Sequence, residues 1–148
     1  MRFLLIDRIV ELERGVRATA LKNVTLSEDF FTHHFPEHPI MPGALIAECL
    51  VQLADWVVRE SEDFTVVGLP ESFDTVKFHH LVRPGDQLQL EVELVGREGD
   101  CRHFSGRARR NEQIVAAARF TMVAAPAADL LAPEDSRRLF AVIRFGRA

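Results

Sequence analysis

The chain has 148 residues, 47% hydrophobic and 27% charged, with seven prolines, which fits one globular domain and excludes a disordered or fibrous chain. Its formal net charge of -4 supplies no global attraction for nucleic acid or an anionic membrane. No apolar run approaches the roughly 18 residues of a membrane span, and the opening MRFLLIDRIVE is interrupted too early, by Asp7 and Arg8, for a signal peptide. A cytoplasmic location is the expectation. Cys49 and Cys101 stand in no metal-binding spacing, so reduced thiols and no metal are expected.

In chain order, residues 3–12 and 16–24 read as two strands joined at Glu13-Arg14-Gly15, a hairpin. Ser27-Glu28-Asp29 offers a cap for a short helical turn into Phe30 and Phe31, and Pro36, Pro39 and Pro42 then exclude regular structure. Pro42 suits a helix's first turn. From there to about Glu60 the chain is apolar on nearly every side, which predicts a buried central helix. Strands are predicted at 64–69, 72–80, 87–96, 101–110 and 113–123, separated by turns that include Pro84-Gly85-Asp86 and Glu98-Gly99-Asp100. Residues 124–133 read as a linker before a short helix carrying Leu139, Phe140, Val142 and Ile143, too apolar to be left in water. One long helix wrapped by a mostly antiparallel sheet is an α+β architecture, the hot-dog fold. The expected division is a hot-dog domain over 1–125 and, over 126–148, a linker and a C-terminal extension packed on it.

The chemistry concentrates in His34-Phe35-Pro36, Met41-Pro42-Gly43 and Glu48, a lone carboxylate in an apolar run fourteen residues after the histidine. This places an imidazole in a proline-punctuated loop and an acid one to two turns into a helix, a general base and a general acid on elements able to face each other. The plainer readings are a loop histidine satisfied by backbone carbonyls and a solvated stripe of Glu48, Gln52, Asp55 and Arg59 at helical spacing. Cys49 invites a Cys–His reading, but adjacent helix residues point about 100° apart, so it cannot share a pocket with Glu48. Six histidines without a ligand-type spacing do not make a metal site.

The string HFPEHPIMPGALIAECLVQ resembles the active-site signature of the FabZ-type β-hydroxyacyl-acyl carrier protein dehydratases, H-F-P-x-x-P-x-M-P-G-x-L-x-x-E-x-x-x-Q. FLLIDRIVELERG resembles that family's opening strand, and SFDTVKFHHLVRPGDQLQLEVEL its later strands around R-P-G-D. The chain departs from the family's common pattern at His33, Glu37 and His79-His80, and its tail is longer. The resemblance implies dehydration of (3R)-3-hydroxyacyl thioesters on acyl carrier protein, without a cofactor. In that chemistry His34 takes the C2 proton, the Gly43 N–H at the helix start stabilises the thioester oxygen, and Glu48, oriented by Gln52, protonates the leaving hydroxyl. Phe35 and Pro42 complete the substrate-binding set. Lys77 and Arg83 are the candidates for docking the acidic carrier protein. The resemblance also implies a homodimer or a trimer of dimers in which the histidine of one subunit works with the glutamate of its partner. Two other classes stay open: a hot-dog thioesterase in which Glu48 activates water, and a non-catalytic hot-dog partner subunit.

Overall fold

The computed structural model describes residues 3–35 and 37–146, apart from the side chain of Asp129; Pro36 of the loop motif lies outside the described residues. Two strands, β1 (Arg8–Glu13) and β2 (Arg17–Asn23), form the expected hairpin, with Leu5 and Ile6 buried just ahead of β1. A 3-10 turn over Asp29–Thr32 follows, but no side chain caps it: Glu28 pairs with the buried Lys22 instead. After the proline loop comes helix α1 (Gly43–Ser61).

Four further strands complete the sheet: β3 (Val66–Phe78), β4 (Gln87–Glu98), β5 (Cys101–Arg110) and β6 (Gln113–Pro126). All neighbours pair antiparallel, in the order β1-β2-β4-β5-β6-β3. The two strands predicted over 64–80 are one. Pro70 does not split β3 because β3 is an edge strand, where a missing N–H costs no ladder bond on the open side; the register shifts between Pro70 and Ser72 absorb the irregularity. Arg107, Arg109 and Arg110 stand on β5 inside the sheet, where Glu91 pairs with the first two and Asp86 with the third.

The sheet curls around α1. Ten α1 residues are buried, among them Leu50 and Leu53 at 0% exposure, and each such side chain stabilises the fold by about 1.5–3 kcal/mol. Gly106 on β5 lets the helix in close: a Cβ there would sit 3.2 Å from a Leu50 methyl.

The stretch predicted as a linker is mostly structured. Residues 124–126 continue β6 against Val66–Gly68, a short 3-10 turn follows, and Pro133 opens helix α2 (Pro133–Phe145). Helix α2 lies on the body: Ile143 is buried, Phe140 meets Trp56 at a 5.8 Å centroid separation, and Arg144 donates to the Ile9 carbonyl at 3.2 Å. We expect Ile143→Ala to lower the unfolding free energy by about 2 kcal/mol, the low end for a buried isoleucine because a terminal helix can partly reseat; chemical denaturation measures this, and an unchanged midpoint would mean that α2 contributes nothing to stability.

Candidate active site

His34 closes the short turn after the 3-10 segment, where its own N–H donates to the Phe30 carbonyl at 3.0 Å. Its ring Nδ1 lies 3.2 Å from the Ile40 carbonyl oxygen. A carbonyl only accepts, so Nδ1 carries the hydrogen and Nε2 of the neutral ring is the free base. Phe35 stacks edge-on against this ring at 4.6 Å, with φ at +52°. For a residue with a Cβ that conformation costs roughly 1–2 kcal/mol.

Helix α1 begins one residue after Pro42, whose carbonyl accepts the Leu45 and Ile46 N–H groups at 3.0 and 3.3 Å. The Gly43 N–H therefore has no acceptor within the helix and sits at the positive end of the helix dipole. Absence of a side chain at Gly43 is a packing requirement as well: an added Cβ would meet the Phe78 ring at 3.0 Å.

Glu48, on the next turn, is half-buried, and its Oε1 accepts from Gln52 Nε2 at 3.0 Å. The stripe that continues from it is not solvated. Asp55 and Arg59 pair at 2.5 Å with side chains only 15% and 13% exposed, Asp55 also accepts the Gly68 N–H at 2.7 Å, and Arg59 reaches Ser136 of α2 at 3.1 Å. Burial pushes the Asp55 carboxyl upward in pKa, while Arg59 and the Gly68 N–H pull it back.

Cys49 faces the core, and burial raises its thiol from 9.0 to about 12. A raised value means that the stability linked to its proton is intact below pH 9.0 and is lost progressively as pH rises from there through about 12. At pH 7 we expect iodoacetamide to modify the half-buried Cys101 and spare Cys49, read by peptide mass spectrometry; rapid loss of Cys49 would contradict this. No cluster of His, Cys, Asp and Glu able to hold a metal occurs among the described residues.

Two cavities lie near the candidate residues. Gln52 lies on the side of α1 covered by the N-terminal segment and lines a cavity of about 260 Å³ with Phe3, Trp56 and Leu139. Phe35 and Arg83 line a separate groove of about 710 Å³ with Leu26, Ile40 and Leu81. Neither His34 nor Glu48 lines either space. Lys77, His79 and His80 are exposed at the far end of β3 and just beyond it. Sequence reading missed three partners of the site. The backbone of Phe3 and Leu5 has no sequence signal, since any residue supplies it; Phe78 stood in an alternating run that marked its strand but not its neighbour.

The fold defines the class, a hot-dog protein, with His34 in the loop before the central helix and Glu48 in that helix. A family model described as a FabA-like domain matches residues 1–119. The chain is 47% identical to the 3-hydroxyacyl-[acyl-carrier-protein] dehydratase FabZ of Caldanaerobacter subterraneus subsp. tengcongensis, over 83% of this chain and 88% of that one. It is 46% identical to the FabZ of Halalkalibacterium halodurans, over 77% and 82%. It belongs to the FabZ-like dehydratases of the FabA-like family. Solved structures similar in fold include smu.793 of Streptococcus mutans bound to acetyl CoA (TM-score 0.67, 16% identity, 85% of this chain and 93% of that) and the dehydratase heterocomplex ApeI:P of Xenorhabdus doucetiae (TM-score 0.59, 18% identity, 76% and 92%).

Proposed function

We propose that this chain dehydrates (3R)-3-hydroxyacyl thioesters carried on acyl carrier protein to trans-2-enoyl thioesters, in fatty acid or related lipid or polyketide synthesis. The observation that carries this reading is 41–47% identity to curated dehydratases of that name over most of the chain; the geometry is what such a reaction needs. His34 Nε2 removes a C2 proton, the Gly43 N–H stabilises negative charge growing on the thioester oxygen, and Glu48 gives a proton to the C3 hydroxyl, which leaves as water. Phe35 and Pro42 border the acyl group. No other reactant is consumed. The test is cheap: with a 3-hydroxyacyl pantetheine thioester, dehydration produces the conjugated enoyl absorbance, whereas a thioesterase releases free thiol. Thiol release without absorbance would overturn the reading.

The family resemblance implies an assembly in which His34 of one subunit faces the partner's glutamate. The open edge of β3, with Leu69, Phe73 and Phe78 between 43% and 52% exposed, is a ready template for a second copy, so the working form is a homodimer, or a trimer of such dimers. Lys77 and Arg83, both exposed, are assigned to the acidic carrier protein, Arg83 on the rim of the groove that Phe35 borders. We expect Lys77→Glu and Arg83→Glu to raise KM for carrier-protein substrates, most at low salt because screening sets in within about 10 Å at 0.1 M, and to leave pantetheine thioesters unaffected. Equal losses on both substrates would assign these residues to structure. No described helix is long and apolar enough to cross a membrane.

A further inference from the structure

The hydrogen bonds around Gln52 assign a task to the amino-terminal segment: Phe3 and Leu5 hold the Gln52 amide in one orientation, so that Glu48 Oε1 is a committed acceptor and Oε2 is the oxygen that carries the proton to the substrate. This rests on the reading of Glu48 as the acid. Gln52 is a positioning residue, and the backbone of a segment 47 residues away is what positions it.

Every polar atom of the Gln52 amide has a partner. Its Oε1 accepts the Leu5 N–H at 2.9 Å, and its Nε2 donates to the Phe3 carbonyl at 3.0 Å and to Glu48 Oε1 at 3.0 Å. A backbone N–H can only donate and a backbone carbonyl can only accept. The two backbone partners therefore determine which way the amide points: flipped, it would set N–H against N–H at Leu5 and oxygen against oxygen at both Phe3 and Glu48. Without them, Gln52 could offer Glu48 either end. The choice at Glu48 follows by elimination. An oxygen facing an N–H hydrogen has no room for a hydrogen of its own in that direction, so a proton on Glu48 resides on Oε2.

The clamp is anchored below the site. Leu5 and Ile6 are 1% exposed, the Leu5 carbonyl receives the Cys49 thiol at 3.9 Å, and the Asp7 N–H donates to the Leu21 carbonyl at 3.0 Å. Leu4 and Phe3, in contrast, are 37% and 60% exposed at the mouth of the cavity that Gln52 lines. The fixed part of the segment is thus the part that touches Gln52 Oε1, and its freer end is the part that touches Nε2.

Two full-length variants separate clamp from aim. Gln52→Met keeps the length of the side chain and removes all three hydrogen bonds. Gln52→Glu keeps an acceptor for the Leu5 N–H but turns the group facing Glu48 into a second carboxyl. With a 3-hydroxyacyl pantetheine thioester, Gln52→Met should lose roughly 10- to 100-fold in kcat with little change in KM, the mark of a misaimed group rather than a lost binding contact. Hydrogen exchange at the Leu5 amide should accelerate in Gln52→Met and stay slow in Gln52→Glu. In Gln52→Glu the pH–rate profile should move to lower pH, where the introduced carboxyl is protonated and can again donate to Glu48 Oε1. Unchanged Leu5 exchange in Gln52→Met overturns the clamp; wild-type kcat in that variant, or an unmoved pH profile in Gln52→Glu, overturns the aim. Full turnover in Glu48→Gln would instead remove Glu48 as the acid, and the Leu5 amide would still report whether the clamp exists.

Discussion

Glu48→Gln and His34→Ala should each lower turnover of a 3-hydroxyacyl pantetheine thioester by about 10²- to 10⁴-fold, the usual contribution of one positioned proton-transfer group. Neither change strips the core. Glu48 and His34 are only half-buried, so far-ultraviolet circular dichroism and the melting temperature should remain close to those of the parent chain. His34→Ala loses one hydrogen bond to the Ile40 carbonyl, worth about 1 kcal/mol. Glu48→Gln retains an acceptor for Gln52 and removes only the capacity to deliver a proton. The proposed sharing of the site between subunits has its own signature: mixing the two inactive variants and reassembling them should restore activity, because one of the two sites in a mixed dimer would combine an intact His34 with an intact Glu48. A wild-type rate in Glu48→Gln would sink the acid assignment. No recovery on mixing, with mixed dimers shown to form, would place each complete site within one chain.

The largest structural effect is expected at Asp55. Its carboxylate pairs with Arg59 and accepts the Gly68 N–H, with both ionised side chains about six-sevenths buried. Arg59 is held in turn by Ser136 and lies 4.9 Å from the Trp56 ring centroid. Asp55→Ala therefore strands a guanidinium and a backbone N–H away from water. Removing one partner of a buried pair costs about 3–5 kcal/mol, because the charge left behind is uncompensated. For a chain of this length that is a fall in melting temperature of roughly 10 °C. Asp55→Asn keeps an acceptor for Gly68 and should lose less. A loss below about 1 kcal/mol in Asp55→Ala would mean that water reaches the pair and that it behaves as a surface contact.

This network ties the central helix to β3 on one side and to the C-terminal helix on the other, and it shows where reading along the chain fails. Asp55 and Arg59 at helical spacing look the same whether the face they share meets solvent or another element. Only α2 and the N-terminal segment, folding over that face from opposite ends of the sequence, turn a polar stripe into a buried one. Residues 124–126 differ for a similar reason. Small residues and a proline look like a linker, yet Val66–Gly68 lies alongside and offers its ladder.

Local and periodic signals determined a good deal. Hydrophobic alternation and turn residues marked every strand of the sheet and placed β5 to the residue; Pro42 and the apolar run after it marked α1 to within one residue at each end. The H-F-P, M-P-G and Glu48 spacing located the candidate base and acid and named the family before any coordinates. Tertiary structure alone decided that β3 is one bulged edge strand, that residues 124–126 extend β6, and that Gln52 takes its orientation from Phe3 and Leu5. Each of these depends on backbone hydrogen bonds or burial between segments distant in sequence. Every residue carries the same N–H and C=O, so such partners leave no mark on residue type.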